Sequence, residues 1–131
     1  QPASKDKTPL DIAVEIWQML GSPAYPMSDD EIRAQVIAEH KRSSNPAGYM
    51  RQISAIRTSP SRVALLNAIK VPTLIIHGNQ DVLVPVSGGI DTAKHIARAE
   101  LVRFEGMGHT LPRALLGQFA DLIHKNSNIG N

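Results

Sequence analysis

A chain of 131 residues with 42% apolar and 20% charged side chains is long enough to bury a core and too apolar to stay disordered outside its ends, and its formal charge of +2 comes from Lys and Arg scattered along the whole length. No basic cluster with interleaved aromatics is present, so nucleic-acid binding is not expected, and no apolar run is long enough to span a bilayer. The absence of cysteine excludes disulfides and thiolate chemistry but does not identify a compartment; a cytoplasmic setting is the working expectation.

The chain opens on Gln1 rather than methionine, and QPASKDK lacks the apolar core of a signal peptide, so it is expected to begin partway through something longer. Thr8-Pro9 then introduces LDIAVEIWQML, a helix with proline at its first position and Gly21 at its end. SDDE, Ser28 to Glu31, is a capping box that opens a second helix carrying Ile32, Val36 and Ile37 on one side. That helix runs into the breaker SSNP at residues 43–46. Asn45 and Pro46 start a third helix with Tyr49, Ile53 and Ile56 at helical spacing, and Ser61 to Ile69 reads as one more short helix.

From Val71 the pattern changes to strands alternating with helices. TLIIH, Thr73 to His77, is a continuous β-rich run, as expected of a strand covered on both faces. Gly88 to Ala99 is a helix with Ile90, Ala93 and Ala97 on one face, and ELVRF, Glu100 to Phe104, is a second strand. Leu111 to His124 closes as a helix with Leu115, Phe119, Leu122 and Ile123 inward, and the tail NSNIGN should fray. Strand, helix, strand, helix implies two parallel strands joined by a right-handed crossover.

In a parallel sheet the loops that follow the strands converge at one edge, and ligands bind there. Asp81 stands just past the first strand and His109, in EGMGH, just past the second. A carboxylate so placed can receive the Nδ1–H of the imidazole, fix its tautomer and stabilise the imidazolium formed when Nε2 takes a proton. Gly78, Gly106 and Gly108 would let these loops turn sharply and bring backbone close to a substrate. The plainer alternatives are an Asx-stabilised turn for Asp81 and a surface histidine for His109.

VPTLIIHGNQDVLVP followed by EGMGHTLP resembles the C-terminal half of the α/β-hydrolases, among them esterases, haloperoxidase-like hydrolases and polyketide methylesterases. The likeness is close over residues 62–123 and looser over 8–60, which resemble the later helices of a cap. It implies a fold of class α/β, with a helical cap portion over 1–62 and the C-terminal part of the hydrolase core over 63–131. It also implies that Asp81 is the catalytic acid, that His109 is the catalytic base, and that the enzyme needs no cofactor and no metal.

The family's G-x-S-x-G nucleophile elbow occurs nowhere in the chain; Ser87-Gly88-Gly89 lacks the glycine two positions before the serine. The expected function is therefore ester hydrolysis in which this chain supplies acid and base, is inactive alone, and relies on a serine from a preceding segment. Two rivals stay open: a non-catalytic binding module on the same scaffold, and a hydrolase with an aspartate nucleophile. Two strands make too small a sheet to stand alone, so a cover is expected, either an N-terminal hydrolase segment or a second copy.

Trp17, Met19, Met27, Tyr49 and Met50 are of the kind that line an apolar pocket, although ordinary packing between helices is the commoner use of such residues. Of these, Trp17, Tyr49 and Met50 are the candidates for contact with a small ester-like substrate. His77 reads as a packed, hydrogen-bonded strand residue, and His40, His95 and His124 as helix residues without the spacing of a zinc site.

Overall fold

Local sequence signals set the helices, and the computed structural model, which describes residues 7–43 and 45–129, shows how they are used. Ser44 of the SSNP breaker, residues 1–6 of the opening segment and residues 130–131 of the tail lie outside the described residues. The chain divides into two units, residues 1–19 with 27–61 and residues 20–26 with 62–131.

The first unit is helical. Helix α1 spans Pro9–Leu20 and is started by Thr8, whose Oγ1 accepts the Asp11 N–H at 3.2 Å while Asp11 Oδ2 accepts the Thr8 N–H at 3.1 Å. Helix α2 spans Asp29–Arg42 behind the complete capping box of Ser28 and Glu31. Asp29, Asp30 and Glu31 in its first turn and His40, Lys41 and Arg42 in its last complement the helix dipole at both ends. Helix α3 spans Pro46–Thr58, its Asn45 cap accepting the Gly48 N–H at 2.9 Å. Arg33 to Asp11 at 3.1 Å and Gln18 to Asp29 at 2.6 Å join α1 to α2. Val14 and Ile32 are buried, but the expected apolar faces are incompletely covered: Ile37 is exposed, and in α3 so are Tyr49 and Ile56, leaving Ile53 half-buried. Helical spacing marks a face and does not guarantee that anything lies against it.

The second unit holds the sheet. Helix α4 spans Val63–Ala68, shorter than the 61–69 expected, and precedes β1, Thr73–Gly78. Helix α5, Val86–His95, leads to β2, Ala99–Phe104, which pairs parallel with β1 from Thr73↔Ala99 to Gly78↔Phe104. A 3₁₀ turn at Arg113–Leu115 then runs into α6, Leu116–Ser127. The α5 limits correct the expected 88–99. The helix starts directly after Pro85 and stops at His95, because Ile96 turns inward and its carbonyl accepts the Ala99 N–H at 3.1 Å to aim the chain into β2. Ala97 is therefore exposed, and Ile96 takes the buried position.

Alternation along β1 places the two long helices. His77 faces α5, where a Cβ on Gly89 would meet the ring, while Ile76 and Phe104 pack against Met107, Leu115 and Phe119 on the α6 side. Successive strand residues point to opposite faces, so α5 and α6 cover opposite faces of the sheet. The rings of Phe104 and Phe119 meet edge to face, 5.2 Å apart at 84°, a geometry worth about 0.5–1.5 kcal/mol beyond its burial. Three expectations for α6 fail: it starts at Leu116, behind the 3₁₀ turn that follows Pro112, where a start at Leu111 was expected. It continues through Asn126 and Ser127 where fraying was expected, and Ile123 is 58% exposed, because the covered stripe runs through Leu115, Phe119, Leu122 and Asn126. β1 is only half-buried from Thr73 to His77, so its expected cover on both faces is incomplete among the described residues. No helix among them is long and apolar enough to cross a membrane.

Candidate active site

The register pairs Gly78 with Phe104, so the loops after β1 and β2 leave the same end of the sheet. Backbone bonds keep them together past the last strand residues: Asn79 N–H donates to Phe104 O at 3.0 Å and Gln80 N–H to Met107 O at 2.9 Å. Side chains add a second brace. The amides of Asn79 and Gln80 both donate to the Glu105 carboxylate, and Gln80 Oε1 accepts the Gly106 N–H at 2.6 Å. These bonds hold Glu105 below its ordinary carboxylate range, those from Asn79 and Gln80 first.

Out of this brace rise Asp81 and His109. Asp81 Oδ2 lies 2.8 Å from His109 Nδ1, while Oδ1 accepts the N–H groups of Leu83 and Val84, each at 2.9 Å. The Asx-turn reading and the histidine-partner reading of Asp81 are thus both true, one for each oxygen. The Asp81 side chain is 7% exposed and the His109 side chain 38%, so the acid is buried beneath a ring with an open side. Burial alone would push the Asp81 carboxyl up. The Val84 N–H, the His109 ring and the Leu83 N–H outweigh that cost and hold it below its ordinary range. An ionised carboxylate only accepts hydrogen bonds, so Nδ1 of His109 carries the proton, and Nε2 of the neutral ring is left as the basic nitrogen.

His77 supports the acid from below. Its Nε2 lies 2.8 Å from Val84 O and 3.8 Å from Asp81 Oδ2, so the ring fastens the turn whose N–H groups hold Asp81. The sequence reading of His77 as a packed strand residue agrees with this position, but its part in closing the turn could not be read from the chain. Nor could the Asn79–Gln80–Glu105 brace, whose signal was a pair of amide residues directly before the acid.

The glycines act chiefly through close approach. A Cβ on Gly78 would stand 2.3 Å from Met107 O, which lets backbone meet backbone, where contact with a substrate was expected. Among the described residues only Gly106 takes a positive φ, of 73°. Ser87 and Gly88 lie in the first turn of α5, and Gly89 is buried against His77.

Trp17, Tyr49 and Met50 belong to the first unit: Trp17 is half-buried, and Tyr49 and Met50 are exposed. His95 Nδ1 sits 2.8 Å from Asp91 O within α5, and His124 contacts Asn128 in the last turn of α6. No group of three or more His, Asp or Glu suited to a metal occurs among the described residues.

A two-stranded parallel core flanked by helices, with an acid–imidazole pair past the strand ends, defines part of an α/β-hydrolase fold. Known proteins agree. The chain is 30% identical over 119 residues to rhodomycin D methylesterase of Streptomyces peucetius, an alignment covering 88% of this chain and 39% of that protein. It is 34% identical over 89 residues to the pimeloyl-[acyl-carrier protein] methyl ester esterase of Nitrosomonas europaea, covering 63% and 35%. Among solved structures, a meta-cleavage product hydrolase from Pseudomonas fluorescens superposes with a TM-score of 0.69 at 23% identity over 95% of this chain and 48% of that one. An esterase from a Rhodococcus species gives 0.66 at 19%, over 92% and 42%. No family model matches. The chain belongs to the α/β-hydrolase family and spans under two fifths of the length of these curated relatives.

Proposed function

We propose that this chain supplies the acid and the base of a serine-type α/β-hydrolase that cleaves ester-like carbonyls, without cofactor or metal. The observation that carries this reading is the Asp81–His109 contact at 2.8 Å, made by a buried carboxylate whose other oxygen is already saturated by two backbone N–H groups. The methylesterase and methyl ester esterase among the relatives favour ester over amide substrates. In this reading a serine outside the 131 residues attacks the carbonyl carbon and His109 Nε2 takes its proton. The tetrahedral intermediate collapses, the alcohol departs with that proton, and water repeats the cycle to release the acid. Trp17, Tyr49 and Met50 are the candidates for contact with the acyl or alcohol group.

The incomplete burial of β1 and the exposure of Val82, Leu83, Val84 and Leu116 favour a cover for the second unit. The preceding hydrolase segment that brings the nucleophile would provide it. The test is turnover of small methyl and aryl esters. The full-length protein should hydrolyse them and lose about 10⁶-fold in kcat on His109→Ala. The 131-residue chain by itself should be inert. An isolated chain that turns over an ester and stops doing so on His109→Ala would sink the proposal.

A further inference from the structure

Residues 20–26 connect α1 to α2 in sequence, yet they pack with the second unit and bond to one short stretch, the loop that carries His109. Leu20 O accepts the backbone N–H of His109 at 2.9 Å and that of Thr110 at 3.3 Å, and Ala24 N–H donates to Gly106 O at 3.0 Å. Between these bonds sits Ser22, 5% exposed, whose Oγ accepts the Gly108 N–H at 2.9 Å and donates to Thr110 O at 3.3 Å. Residues 106, 108, 109 and 110 are thus all held from one side. The approach is so close that only glycine fits: a Cβ on Gly108 would lie 2.0 Å from Gly21 O, and one on Gly106 would lie 2.2 Å from Ala24 Cβ. Tyr25 completes the attachment by packing on the Met107, Leu115 and Phe119 cluster.

β2 ends at Phe104, and the bonds from Asn79 and Gln80 hold the loop that follows only as far as Met107. Asp81 fixes one ring nitrogen of His109 but leaves free the backbone from which the ring hangs. Residues 20–26 supply the missing backbone anchors. We infer that this segment is a strap that positions the imidazole of His109, and that Ser22, acting through the Gly108 amide, is a positioning residue. The inference rests on the reading of His109 as the base. Ser22 needs no contact with substrate or reacting atoms for this role.

The test compares Ser22→Ala with Ser22→Thr, which keeps a hydroxyl, and with Ala24→Pro, which removes the N–H donated to Gly106 at an exposed residue. In the full-length protein, hydrogen exchange at the Gly108 and His109 amides should quicken about tenfold or more in Ser22→Ala. The amides of Ile76 and Val102 in the strands should keep their protection, and the His109 Nδ1–H resonance should broaden. In ester turnover kcat should fall about tenfold with KM within about twofold, because a misplaced base loses transition-state stabilisation and not ground-state binding. Ser22→Thr should recover both readouts.

Unchanged exchange at Gly108 and His109 would overturn the inference, as would faster exchange with an unaltered ring resonance and kcat. If Ser22→Ala loses protection throughout the second unit, Ala24→Pro decides. Faster exchange confined to 106–109 supports the strap, and none there refutes it. The exchange and ring readouts need no turnover. A strap that behaves as expected in a protein inactive on esters therefore keeps its place beneath His109, while the hydrolase reading falls.

Discussion

Replacing Asp81 by asparagine isolates what the carboxylate does. The side chain is 7% exposed and almost isosteric with Asn, so the turn can persist: one oxygen still accepts the Leu83 and Val84 N–H groups, each now at 2.9 Å. The group facing His109 then becomes an amide NH₂, which donates. Nδ1, at 2.8 Å from this group in the native protein, must give up its proton and accept. The ring changes tautomer, and Nε2, the basic nitrogen of the native site, becomes protonated. A base in the wrong tautomer costs about 10⁴-fold in kcat, which is about 5.5 kcal/mol of barrier at 1.36 kcal/mol per tenfold. The assay has two parts. Nitrogen-15 spectra of the His109 ring report which nitrogen carries the proton, and turnover of an ester by the full-length protein reports the cost. The reasoning is refuted if the variant folds with Nδ1 still protonated, or if the tautomer inverts and kcat holds within about tenfold of the native value.

Three further outcomes follow from the same geometry. His77→Phe removes the ring nitrogen bonded to Val84 O, so NMR titration of the Asp81 carboxyl should show its value rising toward the ordinary 3.8, while His77→Gln, which keeps a donor, should not. Because the folded-state value of Asp81 is depressed, its contribution to stability is complete above 3.8 and is lost as pH falls through the depressed value. Acid denaturation should accordingly be steeper in the native protein than in Asp81→Asn, and equal slopes would contradict the assignment. Two glycine substitutions should differ in sign. Gly117→Ala, with nothing within 4 Å of the new Cβ, should stabilise α6 by about 0.5–1 kcal/mol in urea melts, whereas Gly108→Ala, with Gly21 O at 2.0 Å, should cost about 3 kcal/mol or more.

Legibility in the sequence followed the range of each interaction. The capping box of Ser28 and Glu31 and the Asn45 cap involve neighbours three residues apart and were readable outright. The pair of Thr8 and Asp11, also three residues apart, caps α1 in the same reciprocal way beside the Pro9 signal. The meeting of Asp81 and His109 was legible at long range because parallel pairing carries both residues past matching strand ends. The strap was not. Its bonds join the Ser22 hydroxyl to the Gly108 N–H across 86 positions, and the backbone of Leu20 and Ala24 to the same loop, contacts that leave no periodicity to follow. The exposure of Ile123, Tyr49 and Ile56 was hidden for a related reason, since spacing assigns a face without saying whether it is covered.

In the proposed reaction His109 serves a nucleophilic serine contributed from outside these residues. Labelling of the full-length protein with a fluorophosphonate, followed by peptide mass spectrometry, tests it most directly. The account predicts one modified serine outside the 131 residues, with labelling abolished in His109→Ala. Labelling that persists at the native rate without His109, or no labelled serine at all, contradicts it.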